Sequence, residues 1–386
     1  MRPNPPRAWF RLAALIAVLG LLLAACSTDD EGDTTTGGGS GGSEEGGGGG
    51  DGDPATCAGE AGDDPSAEPA GGGEADGAGL RVGMVLDIGG VDDDSFNEAA
   101  NAGIEAAMED FGIESQVLEP NEDGSNRGDL LRSLAEDDYD LVIGVGFLFA
   151  ESMEPLAGEF PDVKFAIVDD ASFEADNVTS LVFAAEQGSF LVGAAAALAS
   201  GTGKIGFIGG VNTELIQTFQ AGFEAGVAEI DADAEVQVQY LTEPPDFNGF
   251  ADPAGAKTAA DGMYADDVDV VYHAAGGSGS GLFESAAAED RLAIGVDSDQ
   301  YQTVDEETQP CILTSMLKRV DQAVYDAVLD LANDELEAGP AESDLETGGI
   351  DYALDGGQLD EFSDQLDELK QMIIDGDLEV PTTPES

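Results

Sequence analysis

The order of apolar and polar positions after residue 79 follows two alternating periods. Short runs of consecutive apolar residues, typical of buried strands, are followed by segments with apolar residues at helical spacing. Predicted strands of the first half are 81–86, 140–146, 163–169 and 178–183. Predicted helices between them are 99–111, 129–137 and 153–159. This alternation predicts an α/β fold with a parallel sheet.

The same alternation then starts again with an alanine-rich helix over residues 186–200. Predicted strands of the second half are 203–210, 235–241, 268–274 and 292–296. Predicted helices are 215–230, 252–264, 275–289, 320–336 and 358–374. Because each half is long enough for one lobe, the sequence predicts two α/β lobes.

Segment 80–110 contains a strand, a loop and a helix in direct succession. The apolar run ends at Asp87, and helical periodicity resumes after Phe96. In open parallel sheets, ligands bind at the carboxyl ends of strands, where such loops lie. We interpret the loop as half of a ligand pocket; the alternative is a solvated turn. In either case Asp94 or Ser95 is predicted to cap the helix.

The first 25 residues have the organisation of a secretory signal, with three arginines, an apolar run and small residues. The ending Leu-Ala-Ala-Cys at Cys26 resembles a bacterial lipobox, which implies cleavage before Cys26 and lipidation of its thiol. The alternative is a transmembrane anchor, for which the apolar run is short. Residues 26–79 are acidic and glycine-rich and are predicted to form a disordered tether.

The chain of 386 residues has a formal net charge of −68, and 67 acidic residues face 10 basic ones beyond residue 79. This excess excludes nucleic acid as a partner, because phosphate contacts need lysine and arginine. The acids repel one another at low salt. The sequence therefore predicts a halophilic protein, since salt at 1 M shortens the screening length to about 3 Å. The alternative is an ordinary acidic exoprotein.

The three cysteines supply no metal-ligand cluster, so neither a metal nor a cofactor is predicted. Once Cys26 is assigned to the lipid, Cys57 and Cys311 remain. They either pair in a disulfide, which an extracytoplasmic compartment permits, or stay separate.

Four features have both a structural and a functional interpretation. The glycine run 276–281 lacks the Gly-Lys-Ser/Thr ending of a phosphate loop, so it is a ligand-facing backbone or a plain turn. His273, the only histidine, ends a predicted strand and is interpreted as structural. Lys318 is a scarce cation that forms either a salt bridge or a ligand contact. Phe219 belongs either to the core or to the pocket.

Seven segments together resemble the basic membrane protein family of lipoproteins, which are purine-nucleoside-receptor-like substrate-binding proteins of ABC importers. In chain order they are DIGGVDDDSFN (87–97), GVGFLF (144–149), EQGSFLVG (186–193), FQAGF (219–223), AGGSG (275–279), GVDSDQ (295–300) and TSMLKR (314–319). The resemblance extends from residue 80 to the C-terminus. It is specific because the segments occur together and in order.

The resemblance implies a type I periplasmic-binding-protein fold, in which a hinge joins two Rossmann-like lobes with parallel sheets. We expect the chain to pass between the lobes near Phe183, Cys311 and Gly348. The expected boundaries are 80–183 with 311–347 for the N-terminal lobe, and 184–310 with 348–386 for the C-terminal lobe.

The resemblance also implies a nucleoside site. Phe96 and Phe219 would stack on the two faces of the base, while Asp297 and Lys318 would hold the ribose hydroxyls. The other residues that it places at the ligand are Asp87, Asn97, Gly146, Phe147, Glu151, Gly276 and Gly277.

The expected function is that of a monomeric, lipid-anchored binding protein on the extracytoplasmic face of the cell membrane. It would deliver a nucleoside to the permease and ATPase of an ABC importer, and the expected nucleoside is a purine nucleoside. It would not be an enzyme. Two alternatives remain at this point: a receptor for another small ligand such as a sugar, and a secreted nucleosidase.

Overall fold

The computed structural model describes residues 52–58, 69–121 and 124–384. Its strands are β1 (Arg81–Val85), β2 (Glu114–Leu118), β3 (Leu141–Gly144), β4 (Lys164–Val168), β5 (Val178–Phe183), β6 (Lys204–Val211), β7 (Glu235–Thr242), β8 (Val270–Ala274), β9 (Leu292–Asp297), β10 (Ile312–Lys318), β11 (Gly339–Ser343) and β12 (Ile350–Tyr352). Its helices are α1 (Phe96–Phe111), α2 (Arg127–Glu136), α3 (Ala150–Glu159), α4 (Ala185–Ala199), α5 (Glu214–Ile230), α6 (Pro253–Ala265), α7 (Gly279–Glu289), α8 (Val320–Ala332) and α9 (Ser363–Ile374). The signal region and Cys26 lie outside the described residues.

The strands form two six-stranded sheets, one for each lobe. The first has the order β11-β5-β4-β3-β1-β2, and all its neighbours are parallel. The second has the order β12-β10-β9-β8-β6-β7, with only β12 antiparallel to its neighbour. The prediction of two α/β lobes with parallel sheets is confirmed.

Each sheet carries a hydrophobic cluster on both faces. In the first lobe, α1 and α8 cover one face, and α2 and α3 cover the other. In the second lobe, α4, α5 and α9 cover one face, and α6 and α7 cover the other. The central strands are therefore buried on both sides, which explains why their sequences are continuous apolar runs.

The second passage between the lobes differs from the expectation. Ile312 to Lys318 forms β10, which pairs with β9 of the second sheet rather than with the first. The apolar run directly after Cys311 completes the second core, so the chain changes lobe only after Lys318, where α8 begins to pack on α1. The expected passage at Cys311 is therefore wrong.

The described part of the predicted tether packs against both lobes. Cys57 is joined to Cys311 by a disulfide with Cα atoms 4.2 Å apart, and the Ala55 amide donates to Asp269 of the second lobe. The Gly73 amide donates at 3.0 Å to the Tyr325 hydroxyl on α8. Residues 52–58 and 69–79 are therefore part of the folded domain, in contrast to the disorder expected for all of 26–79.

In the described ranges, no helix combines the length and the apolar composition that crossing a bilayer requires. The same ranges contain no group of three or more histidine, cysteine or acidic side chains placed to hold a metal ion.

Candidate ligand-binding site

A cleft lies between the two lobes, at the carboxyl ends of strands from both sheets. Clefts lined mainly by apolar side chains, with a few convergent polar groups, are where small molecules bind in proteins. Its lining residues are Asp87, Ile88, Asp93, Phe96, Asn97, Gly146, Phe147, Asp169, Leu215, Ile216, Phe219, Phe250, Ala274, Ala275, Gly276, Val296, Asp297 and Lys318. The lining is mostly apolar, with charged groups at a few positions.

The loop after β1 is held by Asp93 rather than by the capping residues expected. The Asp93 carboxylate accepts hydrogen bonds from the amides of Ser95, Asn97 and Glu98. Ser95 occupies the N-cap position but makes no side-chain cap bond, so the prediction of Asp94 or Ser95 as the capping side chain is wrong. Asp93 fixes the start of α1 and thereby directs Phe96 into the cavity.

Asn97 is fully engaged within its own lobe. Its Oδ1 accepts a 2.8 Å hydrogen bond from the Asp87 amide, and its Nδ2 donates to the Ile88 carbonyl and to Asp93. Asn97 therefore shapes the loop that presents Asp87, in addition to lining the cavity.

Aromatic rings come to the cavity from both lobes. Phe96 begins α1 of the first lobe, and Phe219 lies on α5 of the second. Helix α5 approaches α4 closely because Gly222 lacks a side chain; a Cβ there would lie 2.2 Å from the Glu186 carbonyl oxygen. Phe147 and Phe250 also line the cavity, and the Phe147 ring lies 6.1 Å from that of Phe247 in an edge-to-face arrangement.

The Lys318 ammonium lies at one end of the cavity, and its side chain is only 2 % exposed. Its Nζ is 2.5 Å from an oxygen of Asp169 and 3.8 Å from an oxygen of Asp297. It also lies 4.5 Å from the ring centroid of Phe96 and 5.8 Å from that of Phe219. The ring centroid of Phe183 is 5.0 Å from the same nitrogen. One cation thus lies within 4 Å of two carboxylates and within 6 Å of three aromatic rings.

The two carboxylates at this end have their protonation set by opposing effects. Burial raises the pKa of both Asp169 and Asp297, and the Lys318 charge opposes that rise. Ser95 Oγ of the first lobe also donates to Asp297 at 2.7 Å. The Lys318 end can therefore offer both donors and acceptors to hydroxyl groups of a ligand.

Asp87 lies at another position along the lining and is paired with Arg127, which begins α2. Gly146, with φ of 116°, passes directly beside this carboxylate; a Cβ at Gly146 would lie 2.9 Å from Asp87 Oδ2. A side chain at position 146 would therefore cover Asp87 from the cavity.

The lobes also contact each other beside the cavity. Asp94, in the left-handed region with φ of 51°, turns its carbonyl towards the second lobe. That carbonyl accepts a 3.1 Å hydrogen bond from Ser298 Oγ and a 2.9 Å hydrogen bond from Gln300 Nε2. These bonds form only when the lobes are close together.

His273 is fully buried beneath this contact. Its Nε2 lies 2.9 Å from Gln300 Oε1, and burial lowers the pKa of His273 to about 4. Gln300 Oε1 also accepts from the Val296 amide. His273 is outside the cavity lining and supports Gln300.

The structure brings most of the expected site residues to one cavity. Those on its lining are Asp87, Phe96, Asn97, Gly146, Phe147, Phe219, Gly276, Asp297 and Lys318. Glu151 does not line it, because it is exposed on the first turn of α3. Gly277 lies next to the lining, where a Cβ would be 3.5 Å from that of Asp93.

Sequence reasoning missed Asp169, Asp93, Phe250 and Arg127. Asp169 ends a predicted strand and adopts a left-handed φ of 63°, as Asp297 does with 65°. Aspartate is among the few residues that tolerate this region. The aspartate at the end of a predicted strand was therefore the feature of the sequence that could have identified Asp169 as a site residue.

The comparisons with known proteins agree with this geometry. The family model described as "Bmp: ABC transporter substrate-binding protein PnrA-like" matches residues 80–383. The chain belongs to this family. It is therefore an extracytoplasmic substrate-binding protein of an ABC transporter and not an enzyme.

Relatives of this Bmp family member are similar over most of their length. A CD4+ T-cell-stimulating antigen of Listeria monocytogenes is 36% identical over 336 residues, covering 79% of this chain and 89% of the relative. The ABC transporter nucleoside-binding protein BmpA of Lactococcus lactis is 32% identical over 320 residues, covering 78% and 89%.

A solved solute-binding protein of an ABC transporter system from Aeropyrum pernix has a similar structure. Its TM-score is 0.69 with 28% sequence identity, and the match covers 79% of this chain and 94% of that one. The likeness agrees with a type I binding-protein fold for this Bmp family member.

Proposed function

We propose that the protein binds a purine nucleoside in the cavity between its lobes and delivers it to an ABC permease. The observation that carries the proposal is the position of Lys318. Its ammonium lies 4.5 and 5.8 Å from the ring centroids of Phe96 and Phe219, next to two buried carboxylates. A planar group between the rings would therefore extend directly to a cluster of polar groups.

The aromatic pair suits a nucleobase. Each ring offers an apolar face, and base-on-aromatic stacking contributes about 1–3 kcal/mol per base. Because Phe96 and Phe219 come from different lobes, a base between them would be enclosed as the lobes approach each other.

The Lys318 end suits a ribose. Carboxylates accept hydrogen bonds from sugar hydroxyls, and an ammonium donates to hydroxyl oxygens. Asp169 and Asp297 already compete for the one Lys318 charge, so a phosphate would meet two buried carboxylates. We therefore expect nucleosides to be bound and nucleotides to be rejected. The similarity to a nucleoside-binding protein of Lactococcus lactis supports this ligand class.

The proposal includes attachment to the membrane. The lipobox-like ending at Cys26 supports lipidation of that thiol, and lipid chains buried in the bilayer would hold the protein at the cell surface. Cys26→Ser should release the protein from the membrane fraction, and wild-type protein without acyl mass on its N-terminal peptide would contradict the anchor.

Calorimetry in molar salt tests the ligand. The wild type should bind at least one of adenosine, guanosine and inosine more tightly than the free base, and ribose only weakly. Asp297→Ala should weaken nucleoside binding by about tenfold, the loss of one hydrogen bond to a charged group, and spare the free base. A wild type that binds a sugar but no nucleoside would overturn the proposal.

A further inference from the structure

Arg127 is a cation in an unfavourable place. It is the first residue of α2, where the helix dipole disfavours positive charge by about 0.3–1 kcal/mol. Its side chain is only 12 % exposed, in a chain with few basic residues. A compensating interaction must therefore hold it there.

That interaction is with Asp87, and it engages one carboxylate oxygen. Arg127 Nε donates to Asp87 Oδ1 at 2.9 Å, and Nη2 contacts the same oxygen. The Ile88 amide donates to Oδ1 at 2.7 Å. The other oxygen, Oδ2, is the one that faces Gly146 on the cavity lining. Three donors therefore fix Oδ1, and Oδ2 is left beside Gly146 at the cavity lining.

We propose that Arg127 is a positioning residue for the ligand, which holds Asp87 ionised and oriented so that Oδ2 accepts a hydrogen bond from the ligand. Arg127 itself is not on the cavity lining, so it acts through Asp87. The inference rests on the proposed function, because it supplies an acceptor to an N–H group such as those on a base edge.

The charges around Asp87 make this role necessary. Burial raises the pKa of Asp87, and the Arg127 guanidinium and the Ile88 amide oppose that rise. Asp93 on the same loop is also acidic, and across the cavity Lys318 is engaged with Asp169 and Asp297. Without Arg127, Asp87 would take up a proton at a higher pH and lose acceptor character at Oδ2.

The first experiment compares Arg127→Met, Arg127→Lys and the control Arg132→Met by calorimetry between about pH 6 and pH 8. Arg132 lies on the same helix and pairs with Glu159 at the surface, so its loss removes a similar cation without touching the cavity. The probe is whichever of adenosine, guanosine and inosine binds the wild type most tightly.

Arg127→Met should bind about tenfold more weakly than the wild type at the acidic end of this range, and the deficit should shrink as the pH rises and Asp87 ionises. Arg127→Lys should keep the wild-type pH profile, because the charge remains. Arg132→Met should match the wild type. An unchanged pH profile in Arg127→Met, with nucleoside still bound, would overturn the inference.

Asp87→Asn provides the double-mutant test, because an amide cannot ionise. Arg127→Met in the Asp87→Asn background should add no pH dependence. A pH dependence that persists without the Asp87 carboxylate would show that Arg127 acts on another group and would overturn the inference.

A ligand-free measurement separates this inference from the proposed function. The folded-state pKa of Asp87 lies above its unfolded value, so ionised Asp87 destabilises the fold and protonation relieves this as the pH falls. The thermal midpoint of Arg127→Met should therefore approach that of the wild type as the pH is lowered. A deficit independent of pH would contradict the inference, whether or not a nucleoside binds.

Discussion

The cavity has two cation–carboxylate clusters that are built differently. At the Arg127 cluster, Asp87, Asn97 and Arg127 all belong to the first lobe. At the Lys318 cluster, Lys318 and Asp297 come from the second lobe, and Asp169 from the first. One cluster is complete within a single lobe, whereas in the other the 2.5 Å pair between Lys318 and Asp169 joins the two lobes.

This difference assigns separate roles to the two clusters: the Arg127 cluster would recognise a ligand group, and the Lys318 cluster would favour closure of the lobes. A ligand group at Asp87 would meet an acceptor whose position does not depend on the second lobe. A ligand group at Lys318 would contact both lobes and favour their closed arrangement, since a ligand stabilises the state in which it makes more contacts. The cluster shared by the lobes should therefore affect stability and closure more strongly than the one within a lobe.

The largest effect is expected for Lys318→Met. This change leaves two buried carboxylates without their cation, which typically costs about 3–5 kcal/mol of unfolding free energy. Because burial raises the pKa of Asp169 and Asp297 above their unfolded values, the deficit should shrink as the pH falls and they take up protons. Urea unfolding at about pH 8 and pH 5 measures this. If Lys318→Met lowers the unfolding free energy by no more than Arg127→Met does, the proposed difference between the two clusters is wrong.

A smaller effect is expected for the rings between the clusters. Phe96→Ala and Phe219→Ala should each weaken nucleoside and free-base binding by about 1–3 kcal/mol, which is about five- to 150-fold. Phe173→Ala, which changes a ring of the first lobe outside the cavity lining, is the control for calorimetry. If both cavity variants bind as the wild type does, stacking between the rings is wrong.

A modest effect is expected for the contact between the lobes beside the cavity. Ser298→Ala removes the 3.1 Å hydrogen bond to the Asp94 carbonyl and should lower affinity about two- to tenfold by disfavouring the closed state. Ser172→Ala, which removes a bond within one exposed loop, should leave affinity unchanged. Calorimetry on both variants decides whether closure limits binding.

The smallest effect on affinity is expected from salt. The thermal midpoint should rise between low and molar salt, because repulsion among the exposed acids is screened. Both cation–carboxylate clusters are largely buried, so nucleoside affinity should change by less than about threefold over the same range. A midpoint that does not depend on salt would contradict halophilic adaptation.

Much of the fold could be predicted because the buried strands are apolar on both faces. Strands β3 and β4 appear in the sequence as continuous apolar runs. Strand β2 was missed, because its residues are exposed or half-buried at the sheet edge and its sequence has no long apolar run. The edge strands β11 and β12 were missed for similar reasons, since β11 is largely exposed and β12 is only three residues long.

The site was less predictable where it depends on pairs distant in sequence. Asp169 and Lys318 are 149 residues apart, and only the pairing of the lobes brings them to 2.5 Å. Arg127 was missed because nothing in a helix start identifies a partner 40 residues earlier. Glu151 was assigned by resemblance alone, and its place on the exposed first turn of α3 keeps it off the lining.

The disulfide determines which lobe a mechanical force on the N-terminal segment would reach first. Cys57 is bonded to Cys311, so force applied before Cys57 enters the second lobe at the base of β10, not the first strand of the first lobe. A protease cut anywhere between Cys57 and Pro69 would leave the two pieces covalently joined. If Cys26 carries the proposed lipid, release of the folded domain from the membrane would require a cut before Cys57, or a cut after it together with a reductant.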